Sequence, residues 1–302
     1  MRSAIQAGIT YATLRWATNR GHLRPIWRGV CVTRSAWDAA DVRGRHLLVL
    51  RAGQLRVPGA VAVAESAAVV LGLPLPDGPP SEPRLLLPRV RSRGPGGRGH
   101  EGAGLGRRAD LPAEDVWAMP GGMRVTAPGR TVVDCARHLD LPWSLAVGDA
   151  ARARWRLSQG RLIQAAAQNR YAPGHPAAVW VARLAKQEPE SPLESLARAI
   201  VVLAGHPEPR CQVWVTTRDG AYRVDLLDAS GTVVIEADGK IKYASPNDLW
   251  REKRREDALR GIGLEVVRFT LADYRTRMRW VEGFERAAAR AAARSGSLPF
   301  ML

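Results

Sequence analysis

The sequence lacks most of the features that would define a function at once. Its three cysteines, Cys31, Cys135 and Cys211, are far apart and fit no metal-binding spacing, so we expect no disulfide framework. The six histidines are equally scattered, which disfavours a zinc site. There is no run of about 18 apolar residues, and we expect no membrane span. The N-terminus lacks the apolar core of a secretory signal, which favours a cytoplasmic protein.

Acidic residues are scarce in the first part of the chain, so the formal net charge of +16 is unevenly distributed. Residues 1–189 contain 27 basic and 13 acidic residues, whereas residues 190–302 contain 18 and 16. A strongly basic N-terminal part predicts a polyanionic partner, most simply DNA held through its phosphates. The alternative explanation is the Arg-rich and Ala-rich composition of a GC-rich genome.

Residues 1–58 are predicted to form a winged-helix-like DNA-binding segment. TYATLRWATNR, residues 10–20, predicts a helix with Thr10 as N-cap and Gly21 as C-cap. HLRPIWRGVCVT then alternates as a hairpin around Gly29, and a helix followed by a basic hairpin is the order of a winged helix. The residues predicted to face DNA are Arg15, Asn19 and Arg20 on the helix and Arg24 and Arg28 on the wing.

Residues 59–187 are predicted to form a mostly helical middle region. The stretch AVAVAESAAVVL, residues 60–71, predicts a helix of small residues. Further helices are expected at about 144–169 and 176–186. TAPGRTVVDCARHLDLP predicts a turn and a helix in which Arg130 and Asp134, four residues apart, form a structural ion pair.

RSRGPGGRGHEGAG, residues 91–104, cannot form a core and predicts a mobile basic loop. Two interpretations of this loop remain open. It contacts phosphate, or it is a solvated connector.

The last segment, residues 188–302, has a different character. Its pattern predicts, in order, a helix at 192–204, strands at 211–216, 222–228 and 232–238, a helix at 248–260, a strand at 264–269 and a helix at 278–294. This order predicts a compact α/β (α+β) unit.

Charge collects at the end of one predicted strand in VVIEADGKIKY, residues 233–243. Its charged residues recur at every second position and therefore lie on one face of the strand: Glu236, Asp238, Lys240 and Lys242. Asp225 lies eleven residues before Glu236, the separation at which a hairpin brings both acids to one end of the sheet.

Carboxylates gathered in this way, Asp225, Glu236 and Asp238, could hold a hard cation such as Mg²⁺. Lys240 or Lys242 would then lie near the attacking water or the scissile phosphate. The alternative is a self-neutralising surface of acids and lysines.

Four blocks of the last segment, ESPLESLAR, YRVDLLD, VIEADGKIKY and WREKRREDALRGIGLEVVRFT, together resemble the PD-(D/E)XK nuclease superfamily. The resemblance covers about residues 188–275 and is greatest to the domain related to very-short-patch-repair endonucleases. It implies a restriction-endonuclease-like αβββαβ fold, a Mg²⁺ or Mn²⁺ ion, and Asp225 and Glu236 as the two acids of the motif. Asp238 stands where the motif has lysine, so Lys240 or Lys242 must supply that group, and activity is left open.

Members of this superfamily often add an acid from the first helix, and here Glu190 and Glu194 compete for that role. Ser191 and Glu194 also form a capping box with Pro192 at the first helical position, so Glu194 is alternatively a capping residue. The later helix NDLWREKRREDALR is either a solvated charged face or a DNA-backbone contact. The residues of that helix predicted to contact DNA are Arg251, Arg254 and Arg255.

The earlier part of the chain resembles a second family. GITYATLRWATNRGHLRPIWRGVCVT is similar to the winged-helix segment of AbiEi-type antitoxins, and ESAAVVLGLPLP and VTAPGRTVVDCARHL to the region that follows it. This resemblance implies DNA binding and transcriptional autoregulation.

Three functions follow from these features. The first is a metal-dependent DNA endonuclease that hydrolyses phosphodiester bonds. The second is an antitoxin-like DNA-binding regulator with a degenerate, non-catalytic nuclease fold and a toxin or other protein as partner. The third is a scaffold whose basic half binds an acidic partner protein. A homodimer is an open expectation, since two-fold dimers are common among winged-helix proteins that bind duplex DNA.

Overall fold

The computed structural model of the protein describes residues 8–88, 111–168, 170–239 and 246–295. Helices dominate these residues and the strands form mixed sheets, which confirms the predicted α/β class. The basic loop predicted at 91–104 lies outside the described residues. No helix in the part of the chain that is described combines the length and apolar composition needed to cross a membrane.

The chain divides into two compact units. Unit 1 consists of Met1–His138 and Gly160–Ala182, and unit 2 of Leu139–Gln159 and Arg183–Leu302. The separation into three segments at residues 58 and 187 stays a prediction.

The described helices are numbered in chain order. They are α1 Tyr11–Asn19, α2 Arg34–Ala39, α3 Val42–Arg56, α4 Ala64–Leu71, α5 Pro128–Ala136, α6 Leu141–Trp155, α7 Gln159–Gln168, α8 His175–Leu184, α9 Pro192–Leu203, α10 Pro246–Gly261, α11 Leu271–Arg275 and α12 Arg277–Ser295. A short 3-10 turn covers Ala113–Asp115.

The described strands form one hairpin and two four-stranded sheets. They are β1 Leu23–Trp27, β2 Val30–Thr33, β3 Val61–Ala62, β4 Leu85–Leu86, β5 Val116–Ala118, β6 Arg124–Thr126, β7 Arg210–Thr217, β8 Gly220–Leu227, β9 Val233–Ala237 and β10 Glu265–Phe269.

The first described helix of unit 1, α1, has the N-cap that its sequence predicts, whereas its C-cap is Arg20 and the predicted Gly21 follows it. The Thr10 hydroxyl accepts a hydrogen bond from the Thr13 amide at 3.1 Å and so satisfies one free donor of α1. At the other end Gly21 has a φ of +77°, and the His22 amide reaches back to the Ala17 carbonyl at 2.9 Å. This left-handed turn suits glycine and leads the chain directly into β1.

The hairpin of β1 and β2 follows, also as predicted. Its turn is Arg28–Gly29, and Gly29 supplies the positive φ of +81° that the turn requires. The Trp27 indole N–H donates to the Val49 carbonyl of α3 at 3.0 Å, which fixes the turn end of the hairpin on that helix.

The sequence pattern does not predict the helix α3, because polar residues occupy buried positions of this helix. His46 is buried and lies 3.0 Å from the Ser66 hydroxyl, and Gln54 is bonded to both the amide and the carbonyl of Arg124. Such partners make the burial of polar groups tolerable. They also erase the apolar periodicity that would have predicted a helix.

The middle of the chain also contains a sheet where mostly helix was expected. Its strand order is β4-β3-β6-β5, with strands of two or three residues that are too short to show alternation. The ion pair expected there is confirmed, since the Arg130 Nε lies 3.0 and 2.9 Å from the two carboxylate oxygens of Asp134.

The helical region predicted at about 144–169 is present and is divided into α6 and α7. The chain breaks between α6 and α7 at Arg156, which has a left-handed φ of +50° without any glycine or proline to signal it.

The described part of residues 188–302 has the element order that the sequence predicts, with a short additional helix, α11, and unit 2 also contains α6. Its sheet has the order β10-β9-β8-β7, in which β10 and β9 are parallel and the other pairs antiparallel. One face of the sheet forms a core with α9 and α12 that contains Leu196, Phe269 and Phe284. The opposite face packs on α10 through Leu259.

A fully buried ion pair joins α6 to α9 inside unit 2. The Arg198 side chain has no exposure, and its Nη2 lies 2.8 and 2.7 Å from the two carboxylate oxygens of Asp149. Its Nη1 donates to the Leu184 carbonyl at 2.9 Å and to the Glu208 carboxylate. A charge at this depth is tolerated only because these acceptors surround it.

Replacing one member of this pair should destabilise the protein strongly. We expect Asp149→Ala to lower the free energy of unfolding by about 3–5 kcal/mol, since it leaves a buried guanidinium without its main partner. Urea unfolding followed by tryptophan fluorescence measures this loss. The control is Glu282→Ala, which also removes one carboxylate but from a pair that is 62% exposed on the acid side, and should cost less than about 1 kcal/mol. Equal effects of the two substitutions would contradict the assigned role of Arg198.

Candidate functional site

The sheet of unit 2 is distorted at one point of β7 and β8, where the apolar side chains of both strands change from one hydrophobic core to the other. Cys211 and its partner Leu226 pack on the α9 side, whereas Val213 and its partner Val224 pack on the α10 side. In a regular strand residues two apart share a face, so the face changes at the intervening residue. That residue in β7 is Gln212, which has a left-handed φ of +53°. Non-glycine residues in this conformation concentrate at functional sites.

Asp225 lies opposite this distortion and beside the end of β9. The β8–β9 register pairs Leu226 with Ile235, and one further step places Asp225 opposite Glu236. An Asp225 carboxylate oxygen accepts a hydrogen bond from the Ala237 amide at 2.9 Å. The two acids that the sequence predicted to meet are therefore brought to adjacent positions of neighbouring strands.

Glu236 is largely buried and is paired with an arginine of α10. Its Oε1 accepts a hydrogen bond from the Arg255 Nη2 at 2.8 Å, and the same nitrogen donates to the Arg223 carbonyl at 2.8 Å. Burial raises the pKa of Glu236 to about 7, with the charge of Asp225 adding to the rise and Arg255 opposing it. Arg255 was predicted to contact DNA backbone, and in the structure its guanidinium is the counter-charge of this acid.

Asp238 follows β9 and belongs to a separate ion-pair network. Its amide donates to the Phe269 carbonyl at 2.8 Å, and its carboxylate lies 3.6 Å from the Arg268 guanidinium. Arg268 also lies 3.5 Å from Glu252 and 3.2 Å from Glu256 on α10. Asp238 thus shares its arginine with two other acids.

Glu194 on α9, one of the two acids that compete for a role in the site, has only 4% exposure. Its Oε2 accepts hydrogen bonds from the Gln212 side chain at 2.6 Å and from the Glu190 amide at 3.0 Å. Burial raises its pKa, hydrogen bonds oppose the rise, and the charge of Asp225 adds to it. The Ser191 hydroxyl caps α9 by accepting from the Glu194 amide at 3.2 Å, so one half of the predicted capping box is present.

Glu190 points to a different partner, the Arg223 guanidinium, and its side chain is 60% exposed. Arg251 and Arg254 are exposed on α10. Lys240 and Lys242, the two candidate lysines of the motif, lie outside the described residues.

The described carboxylates do not form a ready cation site. Asp225, Glu236 and Glu194 each have one oxygen engaged by an amide or a guanidinium, and within the described ranges no three His, Cys, Asp or Glu side chains converge on a point that could hold a metal. Arg255 stands where a cation would neutralise Glu236. In this arrangement the residues do not fit a bound Mg²⁺ or Mn²⁺, and metal binding stays a prediction.

The wing residues of unit 1 are presented to solvent. Those predicted to face DNA, namely Arg15, Asn19, Arg20, Arg24 and Arg28, are all exposed. Two of these arginines lie on aromatic rings: the Arg20 guanidinium is 5.9 Å from the Trp16 ring centre, and that of Arg24 is 4.4 Å from the Trp37 ring centre. Such stacking restrains arginine side chains without neutralising them.

Sequence reasoning missed two residues of the acidic site, Gln212 and Arg255 as the partner of Glu236. Counting back from the β7–β8 turn could have placed Gln212 opposite Asp225, since both hairpin strands were predicted. No sequence signal distinguishes Arg255 from its neighbours Arg251 and Arg254 in a helix rich in arginine.

Comparison with known proteins supports one of the two resemblances. Residues 60–185 match the family described as AbiEi antitoxin C-terminal domain. This confirms the antitoxin-like character of the middle region. The matched stretch includes α6, which packs with α9 in unit 2, so the family match and the compact units have different limits. Nothing in these matches supports the nuclease resemblance, which stays a prediction.

Two relatives in Mycobacterium tuberculosis, from strains CDC 1551 / Oshkosh and ATCC 25618 / H37Rv, are each 31% identical to the chain over 155 residues. Both are described only as uncharacterized proteins. The alignment covers 51% of this chain and 57% of each relative, so the chain spans little more than half of their length. No solved structure matches the chain.

The environment of Glu236 predicts a pH dependence of stability. Its pKa in the folded protein, about 7, lies above the ordinary 4.5, so the folded state holds this proton more tightly than the unfolded state. Its stabilising contribution is complete below about pH 4.5 and is lost as the pH rises through about 7, on the order of 3 kcal/mol. Glu236→Gln should remove this loss, so that the variant changes less in stability than the native protein between those pH values.

Urea unfolding at a series of pH values measures the difference between the two proteins. Glu282→Gln, at an exposed acid, is the matched control and should follow the native profile. If Glu236→Gln also followed it, Glu236 would titrate near its ordinary value and the environment described for it would be wrong.

Proposed function

We propose that this protein is a DNA-binding regulator of the antitoxin type, which binds duplex DNA through the helix and wing of unit 1. The observation that carries the proposal is the match of residues 60–185 to the AbiEi antitoxin C-terminal domain. In this chain that region is preceded by the exposed helix α1, the hairpin and the helices α2 and α3. The proposal therefore joins an antitoxin-like region to a basic segment with the order of a winged helix.

The helix α1 suits a role in the DNA groove because little of it is used for packing. Leu14 is its one buried residue, and Arg15 and Asn19, one turn apart, lie exposed on the same side. Arginine and asparagine are the side chains that most often read guanine and adenine edges. We assign base contacts to this pair.

The wing suits contact with the DNA backbone. Arg28 lies in the two-residue turn at its tip, and neither a hydrogen bond nor an ion pair holds its side chain within the described residues. Arg24 and Arg20 are stacked on Trp37 and Trp16, so their charges are restrained in position but remain available to phosphate.

The partners that accompany such a role are a toxin, whose activity the protein would counter, and DNA upstream of its own gene. Both rest on the antitoxin match alone. A two-fold dimer on a palindromic site is the assembly we propose for DNA binding.

Loss of either wing arginine, Arg28 or Arg24, should weaken DNA binding. We expect Arg28→Ala and Arg24→Ala each to lower the affinity for labelled upstream DNA several-fold, and each to reduce the slope of log K against log salt by about one unit. Fluorescence anisotropy at several salt concentrations measures both quantities. Arg56→Ala, at an exposed arginine near the end of α3, is the matched control and should bind as the native protein does. Unchanged binding by both wing variants would refute the assignment of the interface to the wing.

A second candidate function, DNA endonuclease, is favoured by one observation. Asp225 and Glu236 are adjacent acids at a distorted point of a sheet, and Glu236 has its pKa raised to about 7. Acids with perturbed pKa values in such a cluster are typical of functional sites. The structural ion pair with Arg255 is the competing explanation of the same feature.

Cleavage of supercoiled plasmid decides between these explanations. An endonuclease should nick the plasmid in Mg²⁺ or Mn²⁺, lose this activity with a chelator or with Asp225→Asn, and retain it with Asp219→Asn in the β7–β8 turn. If the native protein binds the plasmid and leaves it intact in both metals, the nuclease function is rejected and the regulator stands alone.

A further inference from the structure

A groove of about 440 Å³ lies in unit 2, between β10 and the helices α11 and α12. Its lining includes Thr276, Arg279, Trp280, Gly283, Phe284 and Arg286. The floor is apolar, since Trp280 and Phe284 stack with ring centres 5.9 Å apart and the indole N–H of Trp280 is bonded to the Arg268 carbonyl at 2.7 Å. The rim is basic. It also includes Arg268, whose guanidinium is paired with Asp238, Glu252 and Glu256.

The five arginines of α12 differ in their partners. Arg277 lies 3.7 Å from the carboxylate of Asp140. Arg290 and Arg294 are ion-paired to the buried carboxylate of Glu265. Arg279 has no hydrogen-bond or ion-pair partner for its side chain within the described residues, and Arg286 lies 3.8 Å from Glu282 with both side chains more than 60% exposed. A pair so exposed is worth at most about 1 kcal/mol, so both groove arginines are available to a ligand.

Gly283 lies between these two arginines on the same side of the helix. A glycine inside a helix costs about 1 kcal/mol relative to alanine. Packing does not require it here, because a Cβ at this position would meet only the end of the Arg286 side chain, at 3.8 Å. Its effect is to leave the space between the two guanidinium groups open.

The acid that lines the groove, Asp273, does not cancel this charge in full. Its Oδ2 accepts hydrogen bonds from the amide and the hydroxyl of Thr270, at 2.9 and 2.6 Å, and is committed to capping α11. The groove therefore presents two positive groups above an apolar floor, an arrangement that concentrates the field on an anion.

We infer that this groove binds the phosphodiester backbone of DNA, as a second contact separate from the wing. Arg279 and Arg286 are two helical turns apart, roughly 10 Å along the axis. One strand of duplex DNA carries a phosphate about every 3.4 Å of its axis, so both arginines can reach phosphates of the same strand. The inference rests on the proposed function, since it assigns a further contact to the same ligand.

The test measures the affinity of the full chain for labelled duplex DNA over a range of salt concentrations. Arg279→Ala/Arg286→Ala should lower the affinity by roughly tenfold and reduce the slope of log K against log salt by about one to two units. The matched control is Arg183→Ala/Arg218→Ala, which removes the same two charges from exposed positions of unit 2 outside the groove. Equal losses in both double variants would show an effect of net charge and overturn the inference, as would native binding by the groove variant.

A second arm distinguishes DNA backbone from a small phosphate ligand. Inorganic phosphate is titrated into the native protein and the groove variant at constant ionic strength, with heat of binding as the readout. If the groove variant loses phosphate binding but keeps native affinity for DNA, the groove takes a small phosphate compound and the assignment to DNA is wrong. Weaker DNA binding by the groove variant than by the Arg183→Ala/Arg218→Ala control, with or without detectable phosphate binding, supports it.

The wing variants make failure of the inference and failure of the proposed function distinguishable. If Arg28→Ala weakens DNA binding and Arg279→Ala/Arg286→Ala does not, the wing stands and the groove is rejected. The reverse pattern rejects the wing and keeps the groove.

Discussion

The buried guanidinium of Arg198 is the constraint on which unit 2 depends. A charge with no exposure must be surrounded by acceptors in the folded state, and here they come from Asp149 on α6, Leu184 at the end of α8 and Glu208 beyond α9. Residues far apart in sequence are therefore required at one point. The ion pair explains why α6, which falls inside the antitoxin match, packs in the unit that also carries the acidic site.

The same constraint positions the acidic site. Glu194 lies one helical turn before Arg198 on α9, so fixing Arg198 also fixes the depth of Glu194. The Glu194 carboxylate then accepts a hydrogen bond from the side chain of Gln212, the residue at which β7 changes face. Asp225 lies opposite Gln212 in the neighbouring strand, next to Glu236. The position of the acidic site therefore depends on the buried ion pair of Arg198 and Asp149.

The sequence predicts those parts of the molecule whose signals are local. The N-cap of α1, the glycine turn of the wing and the succession of strands and helices in residues 188–302 depend on neighbouring residues, and the sequence predicts them. The helix α3 was missed because its buried His46 and Gln54 are satisfied by Ser66 and Arg124, which are distant in sequence. The break at Arg156 has no glycine or proline, so its left-handed backbone could not be anticipated. In the site, the meeting of Asp225 and Glu236 follows from counting along a hairpin, whereas the choice of Arg255 depends on how α10 packs.

Arginine has three roles here, so net charge alone is a poor guide to the DNA-binding surface. Arg198 and Arg255 neutralise buried acids, Arg290 and Arg294 hold Glu265, and Arg24 and Arg20 lie on aromatic rings in solvent. Arginines that are not held by a buried acid contribute most to a field that attracts phosphate. The wing arginines and the groove arginines Arg279 and Arg286 meet this criterion, since Glu282, the partner of Arg286, is exposed.

Electrostatics also ranks the two candidate functions. A metal bound at Asp225 and Glu236 would have to compete with the Arg255 guanidinium, which is hydrogen-bonded to Glu236 and to the Arg223 carbonyl. Releasing that guanidinium would leave a half-buried cation without its acceptors, which is costly. The regulator function carries no such cost, because it leaves the ion pair intact and uses unit 2 as a folded support. The charge that a nuclease would take from a metal is in this chain already supplied by an arginine.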